Sequence, residues 1–180
     1  MRIEYMADHR DAIPMLARWH QDEWASRTPH LSLGERIARL ENLVGRHEIP
    51  TTFVALVEDR PAGFACLVAH DMETRRYPSP WLASVLVAPP YRRRGIGSAL
   101  SEWVAEEARD LGANDLFLYT FNKEAFYTRL GWKVLARTDY LGASVAVMVR
   151  HLAGHLPYLN SYRVPSMRGF GGDPPPGEPS

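Results

Sequence analysis

The stretch between residues 81 and 111 constrains the fold most, because a strand, a basic glycine loop and a helix follow one another there. Trp81 to Ala88 is an apolar, β-branched run that ends at two prolines, which cannot continue a strand. Gly95 to Leu111 repeats apolar residues at helical spacing, and Gly112 can end that helix in the left-handed conformation. A strand at Leu116 to Thr120 then predicts parallel pairing through a right-handed crossover.

The loop before this helix predicts a site for phosphate oxygens. It reads Arg92-Arg93-Arg94-Gly95-Ile96-Gly97-Ser98. The first amides of a helix have no partner within the helix, the helix dipole is positive there, and glycines let an anion approach the backbone. Arginines add charge-assisted hydrogen bonds. A P-loop would need Gly-Lys-Ser/Thr, and a dinucleotide fingerprint would need glycine where Leu100 stands, so the loop fits neither.

The remaining pattern predicts an α/β fold with the order β-α-α-β-β-β-α-β-α-β-β. The other predicted strands are Arg2–Met6, Thr52–Val57, Phe64–Ala69, Lys133–Arg137 and Ala143–Arg150. The other predicted helices begin at Asp11, at Ser32 in a capping box with Glu35, and at Asn122. A turn is predicted over Glu58–Gly63. We therefore expect a mixed, mostly antiparallel twisted sheet of about seven strands with about four helices.

Composition limits the kinds of function. Residues 1–155 read as one domain, and residues 156–180 as a Pro/Gly-rich tail that we expect to be partly disordered. A formal net charge of zero argues against a nucleic-acid partner, and no apolar run is long enough for a membrane span, so a cytoplasmic protein is expected. The single cysteine, Cys66, reads as a buried small hydrophobe. No metal is expected, because His20 and Glu23 lack a second ligand pair.

Two motifs give the chain a family resemblance. The first is Val85-Leu86-Val87-Ala88-Pro89-Pro90-Tyr91-Arg92-Arg93-Arg94-Gly95-Ile96-Gly97-Ser98-Ala99-Leu100. The second is Ala125-Phe126-Tyr127-Thr128-Arg129-Leu130-Gly131-Trp132. Together they resemble the GCN5-related N-acetyltransferase (GNAT) family, in which a strand leads into Arg/Gln-x-x-Gly-x-Gly/Ala and a tyrosine helix ends in Leu-Gly-aromatic. The element order agrees with that family from Arg2 to His151.

The resemblance implies where acetyl-CoA binds. The sheet would splay open between the Trp81 strand and the Leu116 strand, and the cofactor would lie in that cleft. Main-chain groups of Val85, Leu86 and Val87 would pair with the pantetheine arm, and an amide near Val87 would polarise the thioester carbonyl. The pyrophosphate would be held by the glycine loop, at Arg92, Arg93, Arg94, Gly95, Ile96, Gly97 and Ser98. Asn122 is a further candidate for a cofactor contact, although its spacing to the tyrosine is shorter than usual.

Tyr127 is the candidate general acid. A phenol ordinarily titrates near pH 10, close to a thiol, so it can protonate the leaving thiolate. The identity of the general base stays open, because neither the Trp81 strand nor the Leu116 strand carries a carboxylate. One alternative is Ser84 or Tyr119 acting through a water molecule. The other is a carboxylate after the hairpin strand, Asp71 or Glu73.

The acceptor side is predicted from the first helix. His20, Glu23 and Trp24 are the candidates for substrate contacts. The acceptor would be a small-molecule amine or a protein N-terminus, and the protein a monomer or homodimer. A non-catalytic acyl-CoA sensor with the same fold is the rival hypothesis.

Overall fold

The computed structural model describes residues 1–75 and 78–152, and it confirms the predicted element order. The strands are β1 (Arg2–Tyr5), β2 (Thr51–Val57), β3 (Arg60–Val68), β4 (Trp81–Val87), β5 (Asp115–Thr120), β6 (Lys133–Tyr140) and β7 (Ala143–His151). The helices are α1 (Ile13–Trp24), α2 (Leu33–Glu41), α3 (Ile96–Asp110) and α4 (Glu124–Arg129). The strands form one seven-stranded sheet in the order β1-β2-β3-β4-β5-β7-β6. Only β4 and β5 pair in parallel.

The sheet separates two apolar cores, one on each face. On the first face, α1 and α2 pack on alternate residues of β2, β3, β4, β5 and β7. On the second face, α3 and α4 pack on the intervening residues of the same strands. Because successive side chains of a strand point to opposite faces, each of these strands contributes side chains to both cores. A group that lies between β4 and β5 can therefore contact side chains from both faces.

The contact between β4 and β5 is the weakest place in the sheet. These strands share one pair of facing residues, Trp81 and Phe117, and the Phe117 amide also donates to the Pro80 carbonyl at 3.1 Å. No further residue pair joins the two strands. The register between β3 and β4 shifts by one residue in the same region, and Ser84 has a φ of 53°, which is the geometry of a β-bulge. This weakly paired place, called the gap between β4 and β5 below, is where the resemblance predicts the cleft.

Two predicted helix starts are wrong. α1 begins at Ile13 after Ala12, and neither Asp11 nor any other side chain caps it, because short 3₁₀ turns lead into the helix. α4 begins after Lys123, whose amide donates to Thr120 Oγ1 at 3.0 Å, so Asn122 is not its cap. The capping box of Ser32 and Glu35 is confirmed.

The predicted turn over Glu58–Gly63 is also too long. Only Glu58 and Asp59 form it, with φ values of 51° and 59°, as in a two-residue hairpin turn. Gly63 lies inside β3, where a Cβ would come within 2.5 Å of the Leu86 carbonyl oxygen. This glycine therefore lets β3 approach β4 closely, and it is not a turn residue.

Cys66 is buried in β3, as expected. Among residues 1–75 and 78–152, no helix has the length and apolar character that crossing a bilayer requires. The predicted tail, residues 156–180, and the last three residues of the predicted domain lie outside the described residues.

Candidate active site

The start of α3 presents unpaired amides towards the gap between β4 and β5. The first hydrogen bond of the helix runs from the Ala99 amide to the Gly95 carbonyl at 3.0 Å. The amides of Ile96, Gly97 and Ser98 thus have no partner within the helix. Gly95 has a φ of 79°, and this left-handed conformation turns the chain into the helix.

The side chains around this loop leave it open to an anion. Arg93 and Arg94 are exposed, and within the described residues neither forms an ion pair. A Cβ at Gly97 would have Phe126 and Val87 as neighbours at 3.6 Å, which places α4 and β4 on either side of the helix start. These are the features that a pyrophosphate group needs.

Arg92 differs from the other two arginines. Its Nε donates to the Val87 carbonyl at 2.9 Å, and its Nη2 donates to Glu23 Oε2 at 3.1 Å. The predicted contact of Glu23 with the substrate is not favoured, because its carboxylate already pairs with the Arg92 guanidinium. Arg92 thus ties the end of β4 to the last turn of α1.

The residues of β4 beside the gap point alternately to the two faces of the sheet. Val85 and Val87 are partly exposed and pack on the α3/α4 core, whereas Leu86 is buried on the α1/α2 face. The bulge at Ser84 separates these residues from the part of β4 that pairs regularly with β3. Strand residues that flank a bulge and face a gap have main-chain groups available to a ligand.

Ser84 is linked to helix α1 through His20. Ser84 Oγ lies 3.4 Å from His20 Nε2, and His20 Nδ1 lies 2.8 Å from Arg36 Nη1. A guanidinium can only donate, so Nδ1 accepts and Nε2 carries the hydrogen towards Ser84. Burial, together with the charges of Arg36 and Arg39, lowers the pKa of His20 to about 4. A neutral imidazole of this tautomer cannot take a proton from Ser84, so the pair is not a Ser-His nucleophile.

Arg36 is a residue that the sequence analysis missed. It is buried, and Nη2 donates to the carbonyl and hydroxyl oxygens of Thr28 at 3.0 and 2.8 Å. The missed signal is its spacing: Arg36 falls three residues after Leu33 and four before Leu40, on the apolar stripe of α2. An arginine on a buried stripe indicates an internal hydrogen-bonded role.

Tyr127 of α4 lies in the α3/α4 core. The side chain is 9% exposed and packs edge-on against Phe126 and Trp132. Burial, and to a lesser degree the charge of Asp71, raises the pKa of Tyr127 above its ordinary value. The phenol therefore keeps its proton at neutral pH.

An aromatic cluster lies on the other face. Tyr119 of β5 contacts Phe121 and Tyr140 edge-on, with ring centroids 5.8 and 5.2 Å apart. Burial, and then the charges of Asp71 and Tyr140, raises the pKa of Tyr119. A phenol with a raised pKa stays protonated, so Tyr119 is a poor proton acceptor and the hypothesis of Tyr119 as a base is not favoured.

The remaining candidate residues, Trp24 and Asn122, lie in different parts of the fold. Trp24 packs on His20 with ring centroids 4.5 Å apart and borders the α1/α2 core, so both lie on the face that carries the aromatic cluster. Asn122 is exposed in the segment between β5 and α4. Among the described residues, no group of three or more His, Cys, Asp or Glu side chains is arranged to hold a metal ion.

The comparisons with known proteins agree with this geometry. Residues 13–132 match the model of the Acetyltransferase (GNAT) family. No curated protein sequence matches the chain significantly.

Solved structures share the fold at low identity. The ribosomal-protein-alanine N-acetyltransferase from Brucella melitensis is 21% identical with a TM-score of 0.68, over 84% of this chain and 100% of that chain. Aminoglycoside 6'-acetyltransferase type Ii is 16% identical with a TM-score of 0.67, over 84% and 97%. An aminoglycoside 6'-N-acetyltransferase complexed with coenzyme A is 16% identical with a TM-score of 0.66, over the same shares.

Proposed function

The chain belongs to the acetyltransferase (GNAT) family, and from that premise we propose that it moves an acetyl group from acetyl-CoA to a primary amine by direct attack in a ternary complex. The observation that carries the proposal is the gap between β4 and β5. The free amides at the start of α3 lie beside the end of β4, and we assign the Tyr127 hydroxyl to the same gap, on the side of α4. A donor and an acceptor that meet there would be held in reacting geometry.

The donor fits the α3/α4 side of the gap. Its pyrophosphate would accept hydrogen bonds from the amides of Ile96, Gly97 and Ser98, with Arg93 and Arg94 adding positive charge. Its pantetheine arm carries amide groups that would use the main chain of Val85 and Val87 beside the bulge. A coenzyme A complex of a structural neighbour supports this assignment of the donor.

Tyr127 would supply the proton that the leaving thiolate needs. Burial raises the pKa of its phenol, so the phenol keeps its proton until a basic thiolate forms beside it.

The acceptor would approach from the α1/α2 side. This face offers an aromatic wall, Trp24, Tyr119 and Tyr140, and the partly buried carboxylate of Asp71. Structural neighbours are named for aminoglycoside amines and for the alanine of a ribosomal protein. We propose the same broad class, a primary amine on a small molecule or at a protein N-terminus.

Removal of the Tyr127 hydroxyl tests the enzyme proposal. Tyr127→Phe should lower kcat by at least about tenfold, because the thiolate loses its proton donor. The affinity for acetyl-CoA should stay within about twofold, since the substitution leaves the amides of α3 unchanged. Release of free thiol with a panel of amines measures the first quantity, and calorimetric titration measures the second.

Tyr91→Phe is the matched control. It makes the same chemical change in a residue beside the glycine loop and keeps the ring over which Arg94 lies. Turnover by this variant should equal that of the wild type. Binding of acetyl-CoA by a wild type that acetylates no amine would refute the enzyme proposal in favour of a sensor.

A further inference from the structure

The segment that follows β3, residues 69–75, extends across the sheet on the α1/α2 face. Its Met72 is buried in the α1/α2 core, and the Glu73 amide lies 3.5 Å from Tyr140 Oη. Tyr140 belongs to β6, and its ring packs on Tyr119 of β5. Because β4 lies between β3 and β5, a loop that starts at β3 and reaches this pair must pass over β4 and the gap beside it.

Asp71 lies in the part of the loop that makes this crossing. Its negative charge raises the pKa of Cys66 on β3, of Tyr119 on β5, of Tyr140 on β6 and of Tyr127 on α4. Tyr127 packs on the opposite face of the sheet, yet the charge of Asp71 still acts on it, as expected for a carboxylate that lies over the gap beside β4.

The groups that face Asp71 are neutral. They are the Cys66 thiol and the three tyrosines named above, and none of them is a cation. Arg27 acts on Tyr119 and Arg39 acts on Tyr140. The titratable neighbours on the described part of the loop are His70, Glu73 and Arg75, and Arg76 and Tyr77 follow them in the sequence. Within the described residues no arginine or lysine pairs with Asp71.

We propose that Asp71 is the general base that accepts the proton of the incoming ammonium group. The proposal rests on the proposed function. The ammonium gives one proton to the carboxylate, the nitrogen lone pair forms the N–C bond, and the C–S bond breaks. The thiolate takes the proton of Tyr127, the second nitrogen proton restores the phenol, and Asp71 releases its proton to water. The net products are the amide, the free thiol and one proton.

The surroundings give Asp71 the basicity this step needs. Burial raises the pKa of its carboxyl group from 3.8 to about 7. A base works best when its pKa lies near the working pH. Ser84 Oγ already faces the Nε2 hydrogen of His20, and Tyr119 stays protonated, so Asp71 is the better acceptor among the candidates at the gap.

Asp71→Asn tests the proposal, with Asp110→Asn as the matched control. For an amine that is protonated at pH 7, Asp71→Asn should lower kcat/KM by roughly a hundredfold or more. Asp110 is exposed at the end of α3, so the same chemical change there should leave kcat/KM unchanged. Acetyl-CoA affinity should be unchanged in both variants, which shows that the donor side is intact.

A second acceptor separates a base from a structural residue. Hydroxylamine is already neutral at pH 7, so Asp71→Asn should lose far less activity with it than with an alkyl amine. The rise of wild-type kcat/KM near pH 7 should disappear in the variant. The variant should also melt at a higher temperature than the wild type at pH 8, because a folded-state pKa above the unfolded one makes ionised Asp71 destabilising at high pH.

Two results would overturn the inference while leaving the proposed function standing. One is normal turnover of alkyl amines by Asp71→Asn, and the other is an equal loss with hydroxylamine and alkyl amines. If the wild type acetylates no amine of either kind, the proposed function fails and the base assignment fails with it.

Discussion

Gly95 and Gly112 stand at the two ends of α3 and share one conformation. Their φ values are 79° and 87°, in the left-handed region that favours glycine, and a Cβ on either residue would meet no atom within 4 Å. Their substitution therefore costs backbone strain and causes no clash. Only Gly95 borders the amides that we assign to the pyrophosphate.

This pairing gives a controlled test of the donor site. Gly95→Ala and Gly112→Ala should each lower the free energy of unfolding by about 1 kcal/mol, through the same strain. Gly95→Ala should in addition weaken acetyl-CoA binding, because the relaxed loop turns its amides away. Denaturant unfolding and calorimetric titration measure the two effects. An equal loss of affinity in both variants would mean that the loop geometry at Gly95 has no special part in binding.

At the residue scale, the sequence predicts those site residues whose position depends on neighbours along the chain. The Gly95 loop and Tyr127 follow from spacing along a strand and a helix. The structure confirms the helix that Gly95 begins and the helix that carries Tyr127, whereas their roles at the site stay predictions. Asp71 stayed one alternative among several, because its place depends on a loop that crosses the sheet and has no periodic pattern. Arg36 was missed, since a charged residue on an apolar stripe reads as an exception to the pattern until its partners are known.

The elements α1, α2 and β4 are joined by a chain of hydrogen bonds. Arg36 of α2 donates to His20 of α1, which faces Ser84 at the bulge of β4. Such a chain is sensitive to pH through the imidazole. His20 has a folded-state pKa of about 4, below its ordinary value of 6.5, so the unfolded chain binds its proton first. Its contribution to stability is complete above pH 6.5 and is lost as the pH falls towards 4.

The stability of His20→Gln should show this dependence directly. The free energy of unfolding of the wild type should fall relative to the variant between pH 7 and pH 4, by roughly 3 kcal/mol at most. Urea unfolding at a series of pH values measures the difference. His30→Gln, in an exposed residue, is the control. A difference between wild type and His20→Gln that stays constant with pH would contradict the neutral, buried imidazole.

Element order was predictable, whereas element ends were less so. Short apolar, β-branched runs bounded by turn residues define most of the strands, and the capping box of α2 is a local signal that the structure confirms. The predicted starts of α1 and α4 were wrong because no side chain caps either helix. A 3₁₀ turn leads into α1, and α4 follows Lys123, whose amide donates to Thr120. The hairpin turn failed because Glu58 and Asp59 adopt positive φ without a glycine, while Gly63 is required by the approach of β4.

At the scale of the molecule, the sheet has two parts that meet at one place. Strands β1 to β4 form one antiparallel part, and β5, β7 and β6 form the other. Between them the parallel contact has the single pair Trp81 and Phe117. A ligand bound in the gap would contact both parts at once and would stabilise the folded chain by mass action.

Thermal unfolding should report this coupling. Acetyl-CoA at a hundred times its dissociation constant should raise the free energy of unfolding by about 2.7 kcal/mol. For a chain of this size that corresponds to a melting temperature higher by roughly 5–10 °C. Adenosine alone, which lacks the pyrophosphate and the pantetheine arm, should give a much smaller shift. Equal shifts with both compounds would mean that the gap and the glycine loop are not the donor site.

The single pair of residues between β4 and β5 has a consequence for turnover itself. An arm that carries its own amide groups and lies in the gap supplies the hydrogen-bonding rungs that the two strands do not supply to each other. In each catalytic cycle the hydrogen bonding between β4 and β5 would then be completed when acetyl-CoA binds and lost again when free coenzyme A leaves. The substrate would serve as part of the sheet, and release of the product would require local loss of that hydrogen bonding.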